Sequence, residues 1–135
     1  MLAATCTAVA GSSNWFEGSF VTYQLRAKSR VLDVSEYTLR RWGAVSEPAA
    51  REMAIGALVH SDADIAVAIT GVAGPSGGDV AHPVGTVWFA WALRSPDGVR
   101  IVQTALHQFA GSRDQVRRAA VATALHGVLA LFDAD

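Results

Sequence analysis

The spacing of apolar and polar positions divides the chain into elements of two kinds. Met1 to Ala10 is apolar enough for a helix, yet no Ser, Thr, Asp or Asn stands before its first apolar residue to cap it. Gly11-Ser12-Ser13-Asn14 breaks that segment. Gly18-Ser19-Phe20-Val21-Thr22-Tyr23 has the aromatic and β-branched content of a strand, and Lys28 falls in the helical turn that follows. Ser35 to Trp42 predicts a short helix stopped by Gly43. Ser46-Glu47-Pro48 opens the next one, with Ser46 as N-cap and Pro48 in the first turn, where a missing N–H costs nothing; this helix runs to about His60.

Beyond residue 60 the pattern changes. Ile65-Ala66-Val67-Ala68-Ile69-Thr70 is a continuous apolar run of strand length, as expected of a strand covered on both faces, and it empties into Gly71-Val72-Ala73-Gly74-Pro75-Ser76-Gly77-Gly78. Gly85 to Leu93 and Val99 to Leu106 read as two strands joined by the Ser95-Pro96-Asp97-Gly98 turn, an antiparallel hairpin. From Ser112 to about Phe132, apolar residues recur at helical spacing, which predicts a long closing helix packed on the sheet. No repeat, linker or low-complexity segment interrupts the chain.

Composition narrows the function classes. With 135 residues, 51% of them hydrophobic and 17% charged, there is enough material for one domain with a core and too little for two. A net charge of −1, with no basic stripe beyond Arg113, Arg117 and Arg118, argues against a nucleic-acid or membrane surface and for a small-molecule partner. Cys6 is the single cysteine, so the chain holds no internal disulfide and no cysteine-based metal cluster, and it reads as cytoplasmic. The apolar stretches end before the roughly 18 residues a membrane helix needs, and no basic segment leads the chain as in a signal peptide. His60, His82, His107 and His126 lack a metal-ligand spacing, so neither a metal nor any other cofactor is expected.

Several positions carry candidate chemistry. Ten of the eleven basic residues are arginine, and the single lysine, Lys28, supplies an amine that can lose its proton where a guanidinium cannot. The alternative is one exposed lysine left by chance. The glycine-rich loop at the end of a buried strand lets backbone N–H groups approach a ligand, which makes Thr70, Gly71, Ala73, Gly74, Gly77 and Gly78 candidate binding residues. A tight loop that merely needs glycine is the alternative. Arg113 and Arg117 lie one helical turn apart at a helix start and are suited to a phosphate, or are simply a solvated pair beside Asp114. Ser46 and Glu47 are either near-pocket groups or a cap and a first-turn carboxylate.

Five segments together resemble one family in order and spacing: Phe20 to Tyr23 with Lys28, Gly43-Ala44-Val45-Ser46-Glu47-Pro48, the Thr70 to Gly78 loop, Pro83-Val84-Gly85-Thr86-Val87-Trp88, and Gly111-Ser112-Arg113-Asp114-Gln115-Val116-Arg117. The family is the CinA C-terminal domain, whose members are nicotinamide mononucleotide (NMN) deamidases. The resemblance covers nearly the whole chain. It implies a single domain over residues 1–135 with a three-layer α/β/α sandwich and a mixed sheet. It further implies hydrolysis of the carboxamide of NMN to nicotinic acid mononucleotide and ammonia without a metal; separately, a homo-oligomer is expected. In the family a serine nucleophile is assisted by a lysine and a tyrosine. The resemblance therefore makes Lys28 the general base and Tyr23 its positioning or relay partner, with Ser46, Glu47, Arg113 and the glycine loop around the substrate.

Two departures qualify the expectation. The family's serine lies in a Glu-Ser-Cys-Thr-Gly-Gly loop before the helix that here begins at Met1, and these 135 residues contain no such segment, nor the helix and strand that precede it. The chain is then N-terminally incomplete and inactive or impaired as it stands, or it is a non-catalytic nucleotide-binding or regulatory subunit of the same fold. Gln24-Leu25-Arg26 also replaces the usual Ser-Asn-Glu, removing a hydrogen-bonding group near the pocket.

Overall fold

The computed structural model describes residues 1–133. Its elements are α1 (Leu2–Thr7), a single 3₁₀ turn (Ser12–Asn14), α2 (Leu25–Leu32), α3 (Glu36–Trp42), α4 (Glu47–Val59), β1 (Ile65–Gly71), β2 (Thr86–Ser95), β3 (Gly98–Gln108) and α5 (Arg113–Phe132). The helix starts follow local chemistry. Ser46 Oγ accepts from the Ala49 N–H and caps α4, with Pro48 in its first turn. Ser112 and Gln115 form a reciprocal capping box at α5, satisfying two N–H groups that the helix itself leaves free. No side chain caps α1.

The three strands form one sheet in the order β1-β2-β3. Helices cover both faces, so the α/β/α layering expected from the resemblance is present. Every described strand pair is antiparallel, however, where a mixed sheet was expected. The physical reason lies in the connections. The Val72 to Gly85 link contains no helix to carry the chain back across the sheet, and β2 and β3 share a tight turn, so each strand runs against its neighbour.

On one face, Ala50, Met53, Ala54 and Leu58 of α4 pack with Leu32 and Val34 against Ala68, Ala90 and Ala92 of the sheet. Small residues allow close approach. At Gly56, an added Cβ would lie 2.0 Å from the Leu32 carbonyl oxygen, so α2 rests directly on the α4 backbone. On the other face, Phe89 and Trp91 project from β2 against Val116, Ala120 and Ala124 of α5, with Leu2 of α1 at the margin. Trp91 Nε1 donates to the Ala124 carbonyl at 3.0 Å, which satisfies its buried polar atom. Between Trp91 and Ala92 the β2–β3 register shifts: Trp91 faces Gln103 while Ala92 faces Ile101, leaving Val102 as the extra residue of a β-bulge.

Gly18 to Tyr23, predicted as a strand, joins no ladder. The segment is an arm outside the sheet, with Val21 89% and Tyr23 80% exposed and Thr22 alone buried. Aromatic and β-branched content suits a pleated surface, but a strand also needs a partner edge, and this arm finds none among the described residues.

Candidate active site

The loop after β1 is fixed at both ends before it can shape anything. Val72 N–H donates to the Thr86 carbonyl at 2.9 Å and Gly85 N–H to the Val72 carbonyl at 2.7 Å, extending the β1–β2 ladder past its last paired residues. At its far end the His82 N–H donates to Asp79 Oδ1 at 2.7 Å, and this bond first, with the His82 ring adding to it, holds the Asp79 carboxyl below its usual range. Gly74 sits at φ +86°, and a Cβ there would lie 2.4 Å from Val84 Cγ1; only glycine serves this position. Arg113 Nη1 donates to the Gly74 carbonyl at 2.9 Å and ties the loop to the start of α5.

Between loop and helix lies a cleft of about 520 Å³, within the roughly 300–1,000 Å³ typical of small-molecule sites. Gly71, Ala73, Gly74, Gly77 and Gly78 form one wall, Arg113 and Arg117 the other, and Tyr23 reaches in from the arm. The apolar lining is Ile69, Val72, Val87, Val116 and Ala120, and no Asp or Glu is among the lining residues. A smaller hollow of about 260 Å³ on the other side of the loop shares Val72 and Gly78 and adds Trp42, Asp79 and His82.

The remaining predicted residues lie elsewhere. Thr70 is buried, its Oγ1 donating to the Ala44 carbonyl at 2.7 Å, and so braces the loop that leads into α4. Ser46 donates to the Gly43 carbonyl at 2.8 Å besides capping α4. Glu47 Oε1 accepts from Arg51 and from Thr104 Oγ1 of β3, at 3.0 and 3.1 Å. None of these three lines the cleft.

Lys28 is the buried charge-bearing residue nearest the arm in sequence, only 7% exposed. Its Nζ donates to the Thr22 carbonyl, one residue before Tyr23, so α2 and the base of the arm are fastened together. Burial lowers its proton affinity below that of an ordinary lysine, since the ammonium form loses hydration. A neutral amine can keep this bond as donor and still offer its lone pair. Lys28 does not itself line the cleft. Next to it, Ser29 Oγ is buried without a partner.

Sequence reasoning missed Ser76 and the apolar floor of the cleft. Ser76 stood inside a loop already read for its glycines. Ile69, Val87, Val116 and Ala120 carry no chemical signal, since each looks like an ordinary core residue until two distant elements come together.

Residues 1–132 match the family described as the CinA C-terminal domain. The chain is 52% identical over 124 residues to nicotinamide-nucleotide amidohydrolase PncC of Escherichia coli strain K12, a match covering 92% of this chain and 73% of that protein. It is 47% identical over 130 residues to the protein of the same name from Pseudomonas putida, covering 96% and 78%. A solved competence-damaged protein (CinA) superfamily structure from Escherichia coli aligns with a TM-score of 0.87 at 42% identity, over 96% of this chain and 73% of that one. The competence/damage inducible protein CihA of Agrobacterium tumefaciens also aligns at 0.87, with 41% identity over 96% and 77%. With a cleft walled by the glycine loop and the start of α5, and with these relatives over almost its full length, the chain belongs to the CinA C-terminal domain family.

Proposed function

We propose that this domain acts on the carboxamide of a nicotinamide mononucleotide, yielding the nicotinic acid nucleotide and ammonia. The observation that carries the reading is the cleft itself, which combines glycine backbone, apolar floor, two arginines and no acid. The relatives named for nicotinamide-nucleotide amidohydrolysis supply the reaction class. In this reading Lys28 takes the proton from the attacking hydroxyl as its oxygen bonds to the carboxamide carbon. The same amine returns a proton to the nitrogen as the C–N bond breaks and ammonia leaves, and water then releases the acid. Tyr23 stands at the cleft as the group that steadies this exchange. Thr70 and Ser46 act through the backbone they brace and Glu47 through its bonds to Arg51 and Thr104, while Gly71, Ala73, Gly74, Gly77, Gly78 and Arg113 surround the substrate.

The attacking hydroxyl is the serine implied by the family, on a segment that these 135 residues do not contain. A second reading is a non-catalytic nucleotide-binding subunit of the same fold, in which the same glycine wall and arginines hold the nucleotide. The exposed Trp15, Phe20, Val21 and Leu25 along and beside the arm support self-association as a homo-oligomer. The unpaired Cys6 thiol and a nucleotide substrate suit the cytoplasm.

The test is saturable NMN binding and ammonia release by the 135-residue chain beside Lys28→Ala. Binding is expected from both proteins, and any turnover must vanish with Lys28. Absence of NMN binding, or turnover indifferent to the substitution, overturns the proposal. Binding without turnover supports the nucleotide site, and hydrolysis is then read on a protein that carries the serine's segment.

A further inference from the structure

The glycine wall of the cleft leans on a residue outside it. The space a side chain would need at Gly74 is filled by Val84, whose Cγ1 lies 2.4 Å from an ideal Cβ there; at Gly78 the same construction meets the Val84 backbone nitrogen at 3.0 Å. Gly74 and Gly78 line the cleft and Val84 does not, so Val84 is the backing of the wall. Its place is set from β3. Gln108, the last residue of that strand, faces Thr86 across the ladder. Gln108 Nε2 donates to the Val84 carbonyl at 2.6 Å, while its Oε1 lies 2.9 Å from the hydroxyl of the buried Thr86, which also reaches the Pro83 carbonyl at 2.6 Å. A carbonyl only accepts, so the amide has one orientation here, with its NH₂ towards Val84 and its oxygen towards the hydroxyl. The peptide between Val84 and Gly85 is then held from both sides, since its N–H donates to the Val72 carbonyl at 2.7 Å. A carboxylate of the same size accepts from Thr86 but has nothing to give Val84.

We infer that Gln108 is a positioning residue for the cleft: it touches no ligand, but through Val84 it sets where Gly74 and Gly78 stand and how closely their backbone meets the substrate. This inference rests on the nucleotide reading above. Releasing the Val84 carbonyl frees the peptide from which that side chain projects, and the wall loses its backing. The displacement reaches Arg113 as well, because its guanidinium is bonded to the Gly74 carbonyl.

The experiment is calorimetric titration with NMN of the 135-residue chain and of its Gln108→Met, Gln108→Glu and Val84→Ala variants, together with the Val84→Ala, Gln108→Met pair. Both Gln108 variants lack the donor and should bind NMN about threefold to tenfold more weakly. Weakening by glutamate alone traces to its charge and overturns the inference, as does parent-like affinity in both. On the Val84→Ala background Gln108→Met should add little, because the side chain through which it acts is gone; full additivity overturns the inference. Hydrogen exchange supplies a readout that needs no ligand. The amides of Val72 to Gly85 should exchange faster in Gln108→Met while those of α4 stay at parent rates; an increase spread over the whole chain means lost stability and overturns the positioning role. If the parent binds no NMN, the nucleotide reading fails and Gln108 is judged on loop exchange alone, where parent-like rates overturn the inference.

Discussion

The two faces of the sheet are built on opposite plans. Towards α4 the contact is dominated by alanines, with Gly56 letting α2 touch backbone. Towards α5 it rests on two large rings, Phe89 and Trp91, stacked with centroids 5.7 Å apart. Alanine and glycine permit only close approach, so the α4 side is shut. Bulky rings seat α5 through Ala124 and Gly127 in its C-terminal half, while Val116 and Ala120 in its N-terminal half remain at the cleft. The closed face carries Lys28 on α2; the open face supplies the substrate space.

The contrast means that one face breaks by subtraction and the other by addition. Trp91→Ala should have the largest effect, destabilising by about 3–5 kcal/mol in urea titrations because it empties the seat of α5 and removes the indole's hydrogen bond to the Ala124 carbonyl. Gly56→Ala should come next, at about 1–3 kcal/mol. There the obstacle is the Leu32 backbone, which no rotamer change relieves, so α2 must shift and Lys28 with it; a fall in NMN affinity or turnover beyond the loss of stability would show that shift. Ser112→Ala removes half of the capping box and should cost about 1 kcal/mol, read as a lower melting temperature with NMN affinity reduced through fraying at Arg113.

Lys28→Met should move stability the other way. Because the folded-state proton affinity of Lys28 is lowered, the unfolded chain holds the proton more firmly, and native stability rises as pH climbs through the lowered folded pKa towards the ordinary lysine value. Methionine removes that penalty. The variant should melt higher than the parent at pH 7, with the difference shrinking as pH rises towards the ordinary lysine value. A constant difference across this window would mean that burial of the ammonium is not its source.

What the sequence made legible was local. The apolar run ending at Thr70, the turn at Ser95 to Gly98 and the caps at Ser46 and Ser112 each depend on neighbours a few residues away, and each element forms where expected. Residues around the glycine loop were legible as a group because glycines cluster there. The arm failed because Phe20 to Tyr23 were judged on residue type without a partner edge. The separate engagements of Arg113 and Arg118 were hidden for a similar reason: they depend on Gly74, thirty-nine residues away in sequence, and on which side chain Asp114 engages. Lys28 stood out as the lone lysine, but its burial and its bond to Thr22 are tertiary facts.

The bulge at Val102 gives β3 a change of phase. Before it, odd-numbered Val99 and Ile101 pack towards α4; beyond it, even-numbered Thr104 reaches Glu47 of α4 while odd-numbered Ala105 turns towards α5. Averaged over Gly98–Gln108, the two alternations cancel, and the strand looks featureless to any scan for a period of two. The extra residue therefore works as a frame correction. Deleting it would keep the strand's composition and exchange the inner and outer sides of one half of its length.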